Sequence, residues 1–535
     1  MAVNLELFDS TLRDGAQGEG ISFSVKDKLK VVSALCELGI PYIEAGNPTS
    51  NKKDIDFFNE LKRVDTRGSK IVAFGATRRK DIDVSEDLAV KALLEAETEV
   101  VAVFGKTWDL HITDVIKTTF SENLSMIFDT ISYLKGHNKE IIFDCEHFFD
   151  GYKSNSEYAL KTIETALSAG ADTIVLCDTN GGSFPDEISE IIGKVKEKFP
   201  KIKLGIHCHN DNGLAVANSM AAVESGAVQI QGTLIGFGER CGNANLSTLI
   251  PNLQIKKHYV LLHEEKIEKL TNICKKIAEI SNVRISSTTP YIGKSAFAHK
   301  AGMHADGVKK NAVSFEHMEP ELIGNQRRFL VSEMAGRSIL VEKIKQFDQN
   351  ITRDSETTSK IIEKLKELEF LGYQFDGAEG SFELIIKKEL GQYTPFFKLI
   401  NYTIVCENPR IMNTSDRATI KIEVNGQTEI TAAEGNGPVN ALDKALRRAL
   451  YRFYPELESI TLSDYKVRVL EGTGATESKV RVLIDTTDGE KTWTTIGVST
   501  DIIEASFHAL VDSLEYKLSG ALPHTPPRVQ TLGAH

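Results

Sequence analysis

Short apolar runs alternate with helix-period stretches over the first half of the chain. Candidate strands fall at Leu5–Asp9, Tyr42–Ala45, Ile71–Phe74, Val100–Phe104, Ile141–Asp144, Thr173–Leu176, Leu204–His207 and Gln229–Thr233. Between them lie amphipathic segments such as Val25–Leu38 and Ser156–Ser168, and Gly39, Gly170 and Gly226 close such segments as helix C-caps do. Eight strand–helix alternations in about 250 residues predict an α/β fold, a (β/α)8 TIM barrel over residues 1–257, rather than a doubly wound open sheet. Residues 258–390 read as helical linker subdomains, because Leu261, Ile267, Leu270, Ile273, Ile277 and Ile280 recur near helical spacing. Within them, Thr289 to Asn311 is rich in Gly, His and Lys and reads as a loop.

Residues 391–520 predict a C-terminal α+β regulatory domain with an internal repeat. Ala418–Val424 and Lys479–Ile484 are alternating strands, each followed by a turn (Asn425-Gly426, then Asp488-Gly489), a second strand and an amphipathic helix. Such a paired module binds a ligand or dimerises at its seam. Gly435 and Gly437, and Gly472 and Gly474, lie in tight turns whose backbones could approach a small effector; plain turn chemistry explains them equally well. Residues 521–535 read as a loose tail.

Composition narrows the function. The 535 residues are 41% hydrophobic and 26% charged, which excludes wholesale disorder. Lys plus Arg number 63 and Asp plus Glu 75, so the net charge is −12. An acidic chain does not read as a nucleic-acid or membrane-surface binder, and an anionic substrate would need locally concentrated positive charge. No apolar run approaches the roughly 20 residues of a membrane span. The segment Met1–Asp9 lacks the basic-then-apolar pattern of a secretory leader. Seven scattered cysteines predict reduced thiols and a cytoplasmic setting.

Barrel enzymes carry their chemistry at the C-terminal strand ends. Those ends hold Arg13 and Asp14, Glu44, Arg78 and Arg79, Lys106 and His111, Glu146 and His147, Thr179, His207 and His209, and Asn243. The spacing His207-x-His209 puts two imidazoles on one face of a strand. With Asp14, and with Asn243 directly or through water, they form a ligand set for a divalent metal, which could be Mg²⁺, Mn²⁺, Co²⁺ or Zn²⁺. Arg13 beside such a metal can stabilise an oxyanion. Lys106, Arg78 and Arg79 would make a basic rim for a phosphorylated cofactor, or simply a solvated charged face.

These residues fall in segments that resemble the DRE-TIM metallolyases, and within them the synthases that condense acetyl-CoA with a 2-oxo acid. The segments are Asp9-Ser10-Thr11-Leu12-Arg13-Asp14-Gly15-Ala16-Gln17, His207-Cys208-His209-Asn210-Asp211, Gly238-Glu239-Arg240-Cys241-Gly242-Asn243 and His299-Lys300-Ala301-Gly302-Met303-His304-Ala305-Asp306-Gly307. The resemblance covers the whole chain. Phe104–His111 and Asp144–Lys153 look like the pyruvate-using branch, and bulky Phe and Trp side chains fit a pocket trimmed to one methyl.

The resemblance implies a Claisen-type condensation of acetyl-CoA with pyruvate, giving citramalate and CoA. It implies that Arg13 steadies the alkoxide, that Thr179 bonds the carboxylate, and that Glu44, Lys106 and Arg78 join the substrate site. Glu146 or His304 would be the base, with Asp306 beside His304 in the loop, reaching the neighbouring subunit of a homodimer. Isoleucine would be the effector of the C-terminal repeat. A sister synthase acting on a larger 2-oxo acid, such as 2-oxoisovalerate, is the alternative. An inactive barrel serving as an amino-acid sensor is disfavoured by the intact Arg13, Asp14, His207 and His209. A lyase running in the cleavage direction is disfavoured by the regulatory repeat.

Overall fold

A computed structural model describes residues 4–49, 52–299, 302–329, 344, 355–375, 377–406, 416–470, 478–489 and 491–521. The chain divides into two compact units. One comprises residues 1–298 with 317–328, the other 299–316 with 329–535.

The first unit is built on a closed, all-parallel barrel of eight strands in sequence order. They are β1 (Glu6–Asp9), β2 (Tyr42–Gly46), β3 (Lys70–Ala76), β4 (Val100–Lys106), β5 (Glu140–Glu146), β6 (Thr173–Asp178), β7 (Leu204–Cys208) and β8 (Gln229–Gly232). Closure comes from β1 pairing with both β2 and β8. Burial on both faces explains why a strand such as Val100-Val101-Ala102-Val103 is continuously apolar rather than alternating. Its two faces serve two cores. Phe8, Tyr42, Val72, Val100, Ala102, Ile142 and Val175 fill the barrel, while neighbouring strand residues such as Leu7, Ile43, Ala73 and Val101 pack under the helices.

Helices α1 (Val25–Leu38), α2 (Phe120–Gly136), α3 (Phe148–Ser154) and α4 (Ser156–Ser168) belong to that outer layer, and α5 (Leu270–Ile280) packs on α1. The bounds of α1 and α4 match the hydrophobic periodicity because both ends carry local signals. Ser24 and Asp27 form a capping box, and Gly39 takes the left-handed cap at φ 87°.

In the second unit the expected loop differs from the structure. Residues Gly302–Lys310 form a helix, α6, which carries His304 and Asp306. Val308 is buried there and Lys310 bonds Asp306 one turn back at 2.7 Å, a helical pairing that a Gly- and His-rich composition obscures. Helices α7 (Glu356–Phe370) and α8 (Glu379–Glu389) follow.

The repeat is larger than its pattern suggests. Each half has three antiparallel strands and a helix: β9 (Lys398–Val405), β10 (Asp416–Val424), β11 (Gln427–Gly435) with α9 (Pro438–Tyr451), then β12 (Thr461–Val469), β13 (Val480–Thr487), β14 (Thr492–Ser499) with α10 (Ile502–Ala521). Strands β9 and β12 are edge strands with largely exposed side chains, so they lack the half-buried alternation that marks β10 and β13. Gly435 lies where a Cβ would come within 2.4 Å of the Ala441 amide, so the close approach of β11 to α9 requires glycine. Gly437 is the N-cap of α9, in extended backbone. Gly472 and Gly474, and the tail beyond Ala521, lie outside the described residues. Among the described residues no helix is long and apolar enough to cross a membrane. All seven cysteines are unpaired.

Candidate active site

The turn after β1 shapes the first part of the site. Buried Asp9 accepts from the Thr11 amide at 2.9 Å and the Thr11 hydroxyl at 3.0 Å, and that hydroxyl oxygen accepts from the Leu234 amide. The Arg13 and Gly15 amides both close onto the Ser10 carbonyl, and a Cβ at Gly15 would sit 2.7 Å from the Phe237 ring. This tight turn aims Arg13 and Asp14 together. Nε of Arg13 donates to Glu44 at 2.7 Å, Nη1 donates to Asp14 at 3.1 Å, and the guanidinium lies 3.9 Å over the Phe74 ring. Burial works against the guanidinium's charge, but Glu44 and Asp14 outweigh it and raise its pKa. Glu44 is fully buried and also accepts from the Ser10 hydroxyl.

The end of β7 supplies the imidazoles, His207 within the strand and His209 one residue past its last residue, Cys208. Nε2 of His207 and Nε2 of His209 lie 3.3 and 3.6 Å from Oδ2 of Asp14. Each of the three residues offers a ligand atom within 4.8 Å of the others, and all three are buried. Asn243 joins them through the backbone, where an antiparallel bridge sets it against His209. A Cβ on Gly238 would come 2.2 Å from Nδ2 of Asn243 and 3.5 Å from Oδ1 of Asp14, so the space between these groups exists only because residue 238 has no side chain.

The group fits a divalent cation. Oδ1 of Asp14, Nδ1 of His209 and both side-chain polar atoms of Asn243 are buried with no hydrogen-bond partner, a costly arrangement unless a ligand meets them. The protonation states of Asp14 and His209 agree with this. Burial alone would raise Asp14, but Arg13 and the two imidazoles hold it well below the usual carboxylate range. Burial and the neighbouring His207 lower His209 to about 4, leaving it neutral. His207 is raised despite its burial, because Asp14 faces it.

A support behind His207 has no counterpart in the sequence reading. Nδ1 of His207 lies 3.0 Å from Oε1 of Gln231, and Nε2 of Gln231 donates to Asp144 at 3.3 Å. An amide oxygen at Nδ1 selects the tautomer with a hydrogen there, which frees Nε2 for a metal. The signal was present: Gln229 and Gln231, two apart in a fully buried strand, must both find polar partners.

Other expected residues are placed as follows. Lys106 donates to Glu146. The Thr179 hydroxyl oxygen accepts from the His147 amide at 2.8 Å. The His111 and His147 rings lie 4.3 Å apart at a tilt of 55°, and Trp108 stacks on His111 at 5.2 Å. Arg78, expected on a basic rim, instead holds its buried guanidinium 2.8 Å from both Glu122 and Asp129 on α2, two partly exposed carboxylates. Arg79 pairs with Asp87. His304 is exposed on α6 and stacks on Phe315 at 4.3 Å, within the second unit.

Comparison with known proteins shows which families the chain resembles. Residues 4–283 match the HMGL-like family, 291–370 the homocitrate synthase post-HMGL domain-like family, and 376–518 the LeuA allosteric (dimerisation) domain. The (R)-citramalate synthase of Aquifex aeolicus (strain VF5) is 51% identical over 97% of this chain and 98% of its own length. That of Synechocystis sp. is 48% identical over 96% of each. The 2-isopropylmalate synthase of the same Aquifex strain spans as much of the chain, 96% of each, at only 30% identity. With the likeness to one branch running nearly end to end and far above the likeness to its sister, the chain belongs to the (R)-citramalate synthase family.

Proposed function

We propose that the barrel joins acetyl-CoA to pyruvate and water, releasing citramalate and CoA. The observation that carries this reading is the buried convergence of Arg13, Asp14, His207 and His209 at the strand ends of a chain half identical to a citramalate synthase. Asp14, His207 and His209, with Asn243, would hold the divalent metal, which supplies Lewis acidity toward the keto group.

The protein's own groups do the rest. The Thr179 hydroxyl oxygen is occupied by the His147 amide, so its hydrogen is free to bond the pyruvate carboxylate. A base, Glu146 or His304, takes a proton from the acetyl methyl group, and the resulting carbon attacks the keto carbon. Arg13, braced by Glu44 and Phe74, meets the negative charge that grows on the former keto oxygen. Water then cleaves the thioester. Lys106 is ion-paired with Glu146, which orients that carboxylate.

CoA release with pyruvate and with 2-oxoisovalerate, measured in parallel, tests the reading. A higher kcat/KM for pyruvate is expected; a preference for the larger acid would make the chain a sister synthase. We further propose that residues 391–520 form a dimerising sensor for isoleucine in a cytoplasmic enzyme. Removing the chain from about Gln392 onward is then expected to abolish isoleucine inhibition.

A further inference from the structure

Thr179 is fastened at two atoms. Its hydroxyl oxygen accepts from the His147 amide at 2.8 Å, and its carbonyl accepts from Nη2 of Arg240 at 2.7 Å. Both donors stand in left-handed backbone, His147 at φ 56° and Arg240 at φ 55°. Residues with a Cβ rarely adopt that region, and where they do the surroundings enforce it, often at functional sites. Arg240 does more than reach Thr179. Its Nε and Nη2 each lie 2.9 Å from one oxygen of Asp211, a bidentate fork. The Asp211 carboxylate is seated against Gly181, where a Cβ would come within 2.6 Å of Oδ2. One guanidinium therefore ties together the segments that follow β6, β7 and β8.

We infer that Arg240 and Asp211 are positioning residues, a clamp that holds the Thr179 hydroxyl at the angle needed to receive a 2-oxo acid carboxylate. The inference rests on the proposed role of Thr179. Two features separate it from an ordinary surface ion pair. The side chain of Arg240 is 37% accessible, so the pair itself contributes little to stability. The loop carrying Asn243 is closed by its own backbone, with the Gly242 amide on Glu239 and the Asn243 amide on Gly236, so loss of the Arg240 side chain leaves that loop intact. The clamp acts on substrate affinity through the Thr179 hydroxyl.

Steady-state kinetics of Arg240→Gln, Arg240→Lys, Asp211→Asn and Thr179→Val in the full chain test this. For the Arg240 and Asp211 variants the KM for pyruvate should rise about tenfold, with kcat within about threefold. The KM for acetyl-CoA, the bound metal and the melting temperature should hold. Combining Arg240→Gln with Thr179→Val should add less than about twofold to the effect of Thr179→Val alone, because both remove one interaction. If Thr179→Val raises the pyruvate KM while Arg240→Gln and Asp211→Asn leave it alone, the clamp is wrong and the Thr179 reading stands. If Thr179→Val itself changes nothing, the Thr179 reading fails and takes the clamp with it. Should Arg240→Gln fold poorly, Asp211→Asn, which removes the charged fork that aims Arg240 at Thr179, decides the matter by the same KM-against-kcat split.

Discussion

Nε2 of His207 lies 3.3 Å from Oδ2 of Asp14, while the other oxygen of that carboxylate is buried with no protein partner. A buried carboxylate oxygen without a donor is costly unless a ligand meets it. Exhaustive chelation is therefore expected to abolish CoA release, and a divalent ion to restore it. Elemental analysis should find about one ion per chain, lowered at least tenfold in occupancy by Asp14→Asn. Full activity in the chelated enzyme would refute the metal centre.

Gln231 fixes the tautomer of His207 and is itself fixed by Asp144. The variant Gln231→Met keeps the volume and loses the acceptor. It should weaken metal affinity by about 10–100-fold, the usual loss when a ligand's supporting partner is removed. Titration of the metal into chelated protein reads this directly. An unchanged affinity would show that packing alone orients His207.

Arg13 is braced by the buried carboxylate of Glu44. Replacing Glu44 by Gln removes the charge that holds the guanidinium over Phe74. A fall in kcat of about 100-fold is expected, comparable to losing one preorganised donor to an oxyanion, with bound metal retained. Loss of metal along with activity would instead make Glu44 part of the metal site.

Stability should depend on pH through α10. Burial pushes Glu515 from 4.5 up to about 7, partly offset by the hydrogen bond from Tyr393. The folded protein keeps this proton to higher pH than the unfolded chain does. The contribution is thus full below about pH 4.5 and is lost as pH climbs through 7. Between about pH 5 and pH 8.5 the wild type should lose more melting temperature than Glu515→Gln, by several degrees. Parallel curves would show that Glu515 titrates as an ordinary surface carboxylate.

Much of the barrel was legible because its signals are local. The eight strands, the helices Val25–Leu38 and Ser156–Ser168, and the placement of His207 and His209 on one side of a strand follow from periods of two and 3.6 and from caps a few residues away. Strand ends then aligned Arg13, Asp14, His207, His209 and Asn243 before any contact was known. The sequence by itself also carried the repeat, though not its edge strands β9 and β12, whose exposed side chains leave no pattern to read.

Only the tertiary structure decided which partner each long side chain meets. Arg78 turned to Glu122 and Asp129, Arg13 to Glu44, Arg240 to Asp211 and Thr179, and His207 to Gln231. Each of these partners lies more than twenty positions away, and the pairings depend on which strand ends the barrel brings side by side. Periodicity tells which face a residue occupies; it carries no information about what stands opposite, because charge and hydrogen-bond complementarity are satisfied through space and not along the chain.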